Sequence, residues 1–361
     1  MTENLSLAET IDLQIRANGP MSVASYMGLC LTHPREGYYR TADPLGSKGD
    51  FITAPEISQM FGELIGFFFV NLWQQMKEPR SFTLLELGPG RGTLMQDALR
   101  VASRADGFSN ALHLQLFETN AELKAQQQSR LGEYTPYWAS EIDAVSDDPL
   151  FVVANEFFDA LPIRQFVKAE SGWHERLVGL KGDTRVFGLS PTPIPPSAMP
   201  EAVRDAAPGE VYEANLAAAD VMTRLSRIIA RQGGAFLAID YGYARTRTGE
   251  TLQAISKHAY VDPLHSPGAA DLSAHVDFGA LGEASRAAGL VAHRVTGQGD
   301  FLRRLGIVER AEMLTRANPD QAETIAAALR RLTDSAEMGE LFKVFVAASP
   351  GLEPPGVLPL A

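Results

Sequence analysis

Glu86, Gly88, Gly90 and Gly92 stand at alternating positions, and Glu118 lies further along, at the end of a second apolar run. These are the residues whose types and spacing best suit chemistry. The run from Phe82 to Leu87 carries Glu86 at its penultimate position, and a helix-like segment opens just behind the glycines. Glycines in a strand-to-helix turn let the backbone approach a ligand and take angles closed to other residues. The helix behind them directs N–H groups at an anionic group such as a carboxylate or phosphate. An acid at the position of Glu118 offers two acceptor oxygens to a pair of ribose hydroxyls. The dinucleotide pattern Gly-x-Gly-x-x-Gly asks for a third glycine where Thr93 stands, and here it arrives one residue early. The acid and the alternating glycines together favour S-adenosylmethionine over NAD as cofactor.

A second constellation is Asn155-Glu156-Phe157-Phe158-Asp159-Ala160-Leu161-Pro162, directly after a strong apolar run. The Asn155 side chain or a backbone carbonyl can accept hydrogen bonds from an amine and aim its lone pair. Aromatic faces stabilise a cation. Glu156 and Asp159 can hold a planar guanidinium through charged hydrogen bonds. The plainer alternative is that Asp159 caps a turn and the phenylalanines belong to the core. Asp240, at the end of another apolar run, is a further candidate acid. His275 is a candidate proton acceptor, with a satisfied structural histidine as the alternative. Asp50 and Thr53, in Gly49-Asp50-Phe51-Ile52-Thr53, suit a lid over the cofactor, although Asp50 also suits a turn.

These residues need elements to hold them. From Phe82 the pattern alternates strand and helix: strands at 82–87, 112–118, 134–138, 150–155, 235–240, 291–296 and 341–348, and helices at 93–102, 121–131, 213–231, 280–288 and 307–333. Such alternation predicts an α/β fold, a mostly parallel sheet with helices on both faces, and ligands outside the carboxyl ends of the strands. Ahead of it, 7–17 and 22–30 have helical spacing. Thr53-Ala54-Pro55-Glu56 resembles a capping box opening a long apolar helix to about Met76, expected to be buried between lobes. Arg164 to Lys181 reads as a hairpin around Ser171-Gly172, and the proline-rich run 190–200 as a surface loop or linker. The domain boundaries that follow are 1–78 as a helical extension or lid, 79–163 with 210–350 as the core, 164–209 as an inserted hairpin and loop, and 351–361 as a tail.

Bulk properties narrow the function classes. The chain has 361 residues, 45% hydrophobic and 21% charged, with a net charge of −12. That charge argues against nonspecific nucleic-acid binding and tolerates a basic partner. A single cysteine, Cys30, precludes an intrachain disulfide or a cysteine metal cluster and fits a reducing compartment. The seven histidines include no His-Glu-x-x-His pair, so no metal site is expected. The first residues lack the basic and apolar regions of a secretory signal and the arginine of a transit peptide, and the strongest apolar run, 64–72, is too short to span a bilayer. A cytoplasmic location is expected.

Five blocks carry a resemblance: Gly49 to Ser58, Glu86 to Thr93, Asn155 to Pro162, Asp240-Tyr241-Gly242, and Asp271 to Phe278. In these the chain resembles the MidA family of class I S-adenosylmethionine-dependent methyltransferases, the mitochondrial complex I assembly factor group. The resemblance implies a seven-stranded Rossmann-like sheet with added N-terminal helices and an inserted β segment. It also implies symmetric dimethylation of a protein arginine, in a core subunit of respiratory complex I. It places the methionine end of the cofactor near Gly88 to Gly92, the ribose on Glu118, and the acceptor near Asn155, Glu156 and Asp159. A bacterial cytoplasmic member is the simplest reading, since the mitochondrial relatives carry a targeting segment. Three alternatives stand beside it: a small-molecule methyltransferase, a non-catalytic assembly chaperone that binds the cofactor, and a dinucleotide oxidoreductase. The oligomeric state is not legible.

Overall fold

The computed structural model describes residues 5–41 and 53–359, which group into two compact units. One unit comprises the described residues of Ile52–Phe158 together with Asp220–Ala244 and Phe278–Ala361, and holds the main sheet. The other comprises those of Met1–Phe51 together with Asp159–Ala219 and Arg245–Asp277. Residues 52–78 thus fall with the sheet, and 164–209 with the N-terminal helices.

Along the chain, the principal strands of the main sheet are β1 Phe82–Leu87, β2 Leu112–Phe117, β3 Tyr137–Trp138, β4 Leu150–Asn155, β5 Gly234–Tyr243, β6 Val291–Ala292 and β7 Phe342–Ala348. They lie side by side in the order β6-β7-β5-β4-β1-β2-β3. Pairs among β1, β2, β3, β4 and β5 are parallel, and β7 runs antiparallel to both β5 and β6. All six residues of β1 and of β4 are buried, as a parallel strand covered on both faces requires. The fold is the expected α/β class, with seven strands along the path.

The helix Gln59–Gln75 supplies much of this unit's core through Phe61, Ile65, Phe68, Phe69, Leu72 and Trp73. It packs against the helix Thr93–Ala102 within the sheet unit. Two glycines allow the close approach. A Cβ on Gly62 would stand 2.6 Å from Asp97 Cβ, and one on Gly66 would collide with the Ala98 carbonyl. Glu63, buried beside them, accepts hydrogen bonds from Arg100 Nη1 (2.7 Å), Arg310 Nε (2.6 Å) and Arg310 Nη2 (2.8 Å). Burial opposes its charge, but the two guanidiniums outweigh burial and hold its pKa below the usual carboxylate range. Gly66→Ala should therefore destabilise the protein. Helix propensity gains about 1 kcal/mol, whereas overpacking at a backbone contact costs about 1–3 kcal/mol and more where nothing can yield. The midpoint of thermal unfolding, followed by circular dichroism, should fall by several degrees. A midpoint that holds or rises would mean the two helices can slide apart freely.

Several expected elements differ. The capping box at Thr53 does not form: Thr53 caps Ala54–Ile57 with no side-chain bond, and the helix breaks at Ser58, whose Oγ accepts from Met60 N and caps a second helix. Glu56 instead accepts from Thr93 Oγ1 at 2.6 Å. Glu213 lies in a strand, Val211–Ala214, and its helix begins at Leu216. The expected strand at 291–296 is two short strands, Val291–Ala292 and Thr296–Gly297, because the second pairs β7 in a separate register. A helix at Gln298–Arg304 was not foreseen.

The second unit contains the helices Leu7–Asn18 and Val23–Thr32, capped by Ser6 and Ser22. Its larger sheet contains the expected hairpin, Arg164–Ala169 with Gly172–Lys181, extended by Thr184–Leu189 and Val211–Ala214. The proline-rich run is tied back where Ile194 N donates to Trp173 O at 2.7 Å.

Candidate active site

The strand order reverses between β1 and β4, and open α/β sheets bind their ligands at such a reversal, beyond the carboxyl ends of the strands. The register sets out what lines it. Leu87 pairs with Phe117 on one side and Ala154 on the other, and Asn155 pairs with Ile239. The next residues along therefore form a row in the order Glu118, Gly88, Asn155-Glu156, Asp240.

Gly88, Gly90 and Gly92 have φ of 63°, 52° and 80°, all in the left-handed region that a side chain resists. Gly88 N donates to Phe117 O at 3.1 Å, which closes the turn over β2. A Cβ at Gly88 would lie 3.1 Å from Phe157 Cδ2, so the space beside the turn is narrow. Gly92 then starts the helix Thr93–Ala102 with no side chain capping it.

Two buried polar atoms at these strand ends have no protein partner, Glu86 Oε2 and Asn155 Oδ1. Glu86 is 3% exposed. Burial, then the nearby Glu118 carboxylate, pushes its pKa up to about 8. A buried carboxyl without a partner costs free energy unless a cation or donor completes it. Asn155 Nδ2 donates to Glu156 Oε1 at 3.2 Å, which leaves its carbonyl oxygen open to a donor.

Glu118 Oε1 accepts from Thr119 N (2.7 Å) and Asn120 N (2.8 Å). Burial raises its pKa, with those N–H groups and Gln127 working against the rise.

Glu156 has φ of 51°, unusual for a residue with a side chain. Its N–H donates to Ile239 O at 2.9 Å, and its Oε1 accepts from Ala54 N at 3.2 Å. Backbone strain held in place by neighbours is a frequent property of functional positions. Asp240, fully buried, accepts from Phe158 N (3.0 Å) through Oδ2 and from Tyr241 N (2.9 Å) through Oδ1. It fixes the loop that follows β4. Phe158 is fully buried against Phe236, with ring centroids 6.0 Å apart, so it is core and presents no face to a cation.

Asp159 and His275 lie in the other unit. Asp159 is buried, and its carbonyl accepts from Ala274 N at 3.0 Å. His275 N donates to Thr251 Oγ1 at 2.9 Å, and that hydroxyl donates to the buried Glu213. Burial lowers the His275 pKa, with Glu213 raising it and Arg247 lowering it. Asp50 lies outside the described residues. Thr53 is described, at the start of the one-turn segment that supplies Ala54 N.

The sequence reading missed Gln127, Trp138, Glu56 and Thr93. Gln127 carried a signal: it stands four residues from both Leu123 and Leu131, which places it on the inward helix face. A groove lined by Thr83, Leu112 and His113 lies at the other ends of β1 and β2, away from this row.

A glycine turn at a parallel-sheet switch point, with a buried acid on β1 and a second acid just after β2, marks the fold of a class I methyltransferase. A family model described as "Putative S-adenosyl-L-methionine-dependent methyltransferase" matches residues 64–296. "Protein arginine methyltransferase NDUFAF7 homolog, mitochondrial" of Drosophila melanogaster is 35% identical over 379 residues, covering 96% of this chain and 85% of the relative. The Homo sapiens "Protein arginine methyltransferase NDUFAF7, mitochondrial" is 35% identical, covering 92% and 81%. A crystal structure from Burkholderia thailandensis, bound to S-adenosyl-homocysteine, superposes with a TM-score of 0.85 at 29% identity, covering 97% of this chain and 93% of that one. The chain belongs to the MidA-like family of S-adenosylmethionine-dependent methyltransferases, and S-adenosylmethionine is its cofactor. Its residues suit that cofactor: open acceptors at Glu86 and Asn155, and a turn whose three glycines hold left-handed backbone angles. No described helix is long and apolar enough to cross a membrane, and no cluster of metal-ligating side chains occurs among the described residues.

Proposed function

We propose that this enzyme methylates an ω-nitrogen of arginine on a protein, by symmetric dimethylation, with a respiratory complex I subunit as the target and the bacterial cytoplasm as its place of action. The observation that supports it best is the strained, braced Glu156 carboxylate at the switch point, beside the open carbonyl oxygen of Asn155. A carboxylate there pairs with a guanidinium through directional charged hydrogen bonds. The relatives named protein arginine methyltransferases, about a third identical over nearly the whole chain, support the same acceptor.

In this reading Glu86 takes the α-ammonium of the cofactor, the turn at Gly88, Gly90 and Gly92 its carboxylate, and Glu118 the ribose hydroxyls. The bound cofactor supplies an activated methyl on a sulfonium. Glu156 would localise the guanidinium charge on one side, and the opposite ω-nitrogen would form the new N–C bond as the C–S bond breaks, with S-adenosylhomocysteine leaving as a neutral thioether and the displaced N–H proton passing to solvent. Asp240 acts indirectly, through the backbone of the loop after β4. The enzyme's main contribution is alignment, worth up to about 7–11 kcal/mol of barrier. Asp159 and His275 take no part in this account, which rests on the sheet unit alone.

The test is mass spectrometry of arginine modifications in strains with and without the gene, paired with transfer of labelled methyl to purified complex I subunits. Symmetric dimethylarginine that disappears with the gene supports the proposal. Unchanged arginine modification, with label entering small molecules instead, overturns it.

A further inference from the structure

Gln127 is 0% exposed, and both ends of its amide are engaged. Its Nε2 donates to the Gly90 carbonyl at 2.6 Å and lies 3.4 Å from Glu118 Oε2. Its Oε1 accepts from Trp138 Nε1 at 2.7 Å. The indole N–H can only donate, so it fixes which end of the amide faces which neighbour. Gln127 also packs under the turn: a Cβ on Gly92 would lie 3.5 Å from its Cγ. One buried side chain thus connects the middle glycine of the turn to the acid just after β2.

We propose that Gln127 is a positioning residue for the cofactor's nucleoside, oriented by Trp138. Its N–H groups hold the Gly90 carbonyl down and keep Glu118 charged and aimed, so that turn and acid grip one ligand as a unit. This rests on the assignment of Glu118 to the ribose. Thr119 N and Asn120 N bind the other Glu118 oxygen. Gln127 is thus the side-chain donor on Oε2, and without it that oxygen turns toward whatever donor remains. An acid at position 127 would set a second negative charge against Glu118 and against a carbonyl.

The test is calorimetric binding of S-adenosylhomocysteine and of its 2′-deoxy and 3′-deoxy analogues to wild type, Gln127→Leu, Gln127→Glu, Trp138→Phe and Glu118→Ala. Loss of a hydrogen bond to a charged group should weaken S-adenosylhomocysteine binding about 10- to 100-fold in Gln127→Leu. The penalty for deleting a ribose hydroxyl should shrink in that variant, because Glu118 no longer faces the hydroxyl. Gln127→Glu should bind worst near neutral pH and recover part of the loss as pH falls and the new carboxyl takes a proton. Trp138→Phe, which keeps an aromatic ring while removing the orienting donor, should share the Gln127→Leu pattern in milder form and serves if Gln127→Leu fails to fold. A full deoxy-analogue penalty in Gln127→Leu or Trp138→Phe, with only a lowered melting temperature, would overturn the proposal and leave Gln127 a packing residue. Undiminished binding in Glu118→Ala would instead bring down the ribose assignment itself, and this proposal with it.

Discussion

Replacing Glu86 with Gln is expected to weaken S-adenosylhomocysteine binding by two to three orders of magnitude and, in the absence of ligand, to stabilise the protein above neutral pH. The first effect follows from removing one partner of a buried charge pair, which costs about 2–5 kcal/mol. The second follows from linkage. The folded-state pKa of Glu86 is about 8, above the ordinary value of 4.5, because burial disfavours the charged form. The proton is bound more tightly in the folded state. Its stabilising contribution is complete below about pH 4.5 and drains away as pH rises to about 8, by at most about 1.4 kcal/mol per pH unit. Gln cannot ionise and escapes that loss. At pH 7 the ligand-free carboxyl is mostly protonated, and an ammonium ligand requires it charged. Binding should therefore release close to one proton, visible as a dependence of calorimetric heat on the buffer's ionisation enthalpy. Glu86→Gln should release none. Equal heats in all buffers for wild type, with tight binding retained by the variant, would remove Glu86 from the site.

Glu156→Gln should lower methyl transfer about 10²–10³-fold, the scale of losing one preorganised electrostatic group, while leaving S-adenosylhomocysteine affinity within about twofold. Since its carboxylate bonds Ala54 N and Asn155 Nδ2, a Gln retains the acceptor oxygen and isolates the effect of charge. Glu156→Gly separates shape from charge. Glycine adopts φ of 51° without strain, which should relieve about 1–2 kcal/mol. That variant should melt higher than wild type and transfer no more methyl than Glu156→Gln. Unimpaired transfer in Glu156→Gln would refute the acceptor role, and a lower melting point in Glu156→Gly would show that the carboxylate stabilises the loop more than the left-handed backbone costs.

The sheet was legible because its strands are apolar throughout and its glycines fall where a turn must bend. Phe82–Leu87, Thr93–Ala102, Ala121–Leu131 and Leu150–Asn155 stand where the pattern put them. What failed was local. Glu56 had the spacing of a capping box, but Thr93 and the break at Ser58 gave the backbone a different solution. Glu213 looked helical because alanines follow it; pairing with Gln165 across two strands decides its place. The acids of the site were visible as residues, while their states were not. Glu86, Glu118 and Asp240 look alike in sequence, yet one is a carboxyl without a protein partner, one is cradled by N–H groups, and one ties two backbone segments together. Long-range packing makes that difference, and Gln127 stayed hidden in a run of three glutamines for the same reason.

Phe158 is the last residue of its stretch in the sheet unit, and the chain continues into the other unit at Asp159. Its N–H is moored to Asp240 at that crossing. That bond ties the backbone two residues beyond Glu156 to β5. Replacing Asp240 would therefore release the backbone two residues from Glu156 while leaving the Glu156 carboxylate in place.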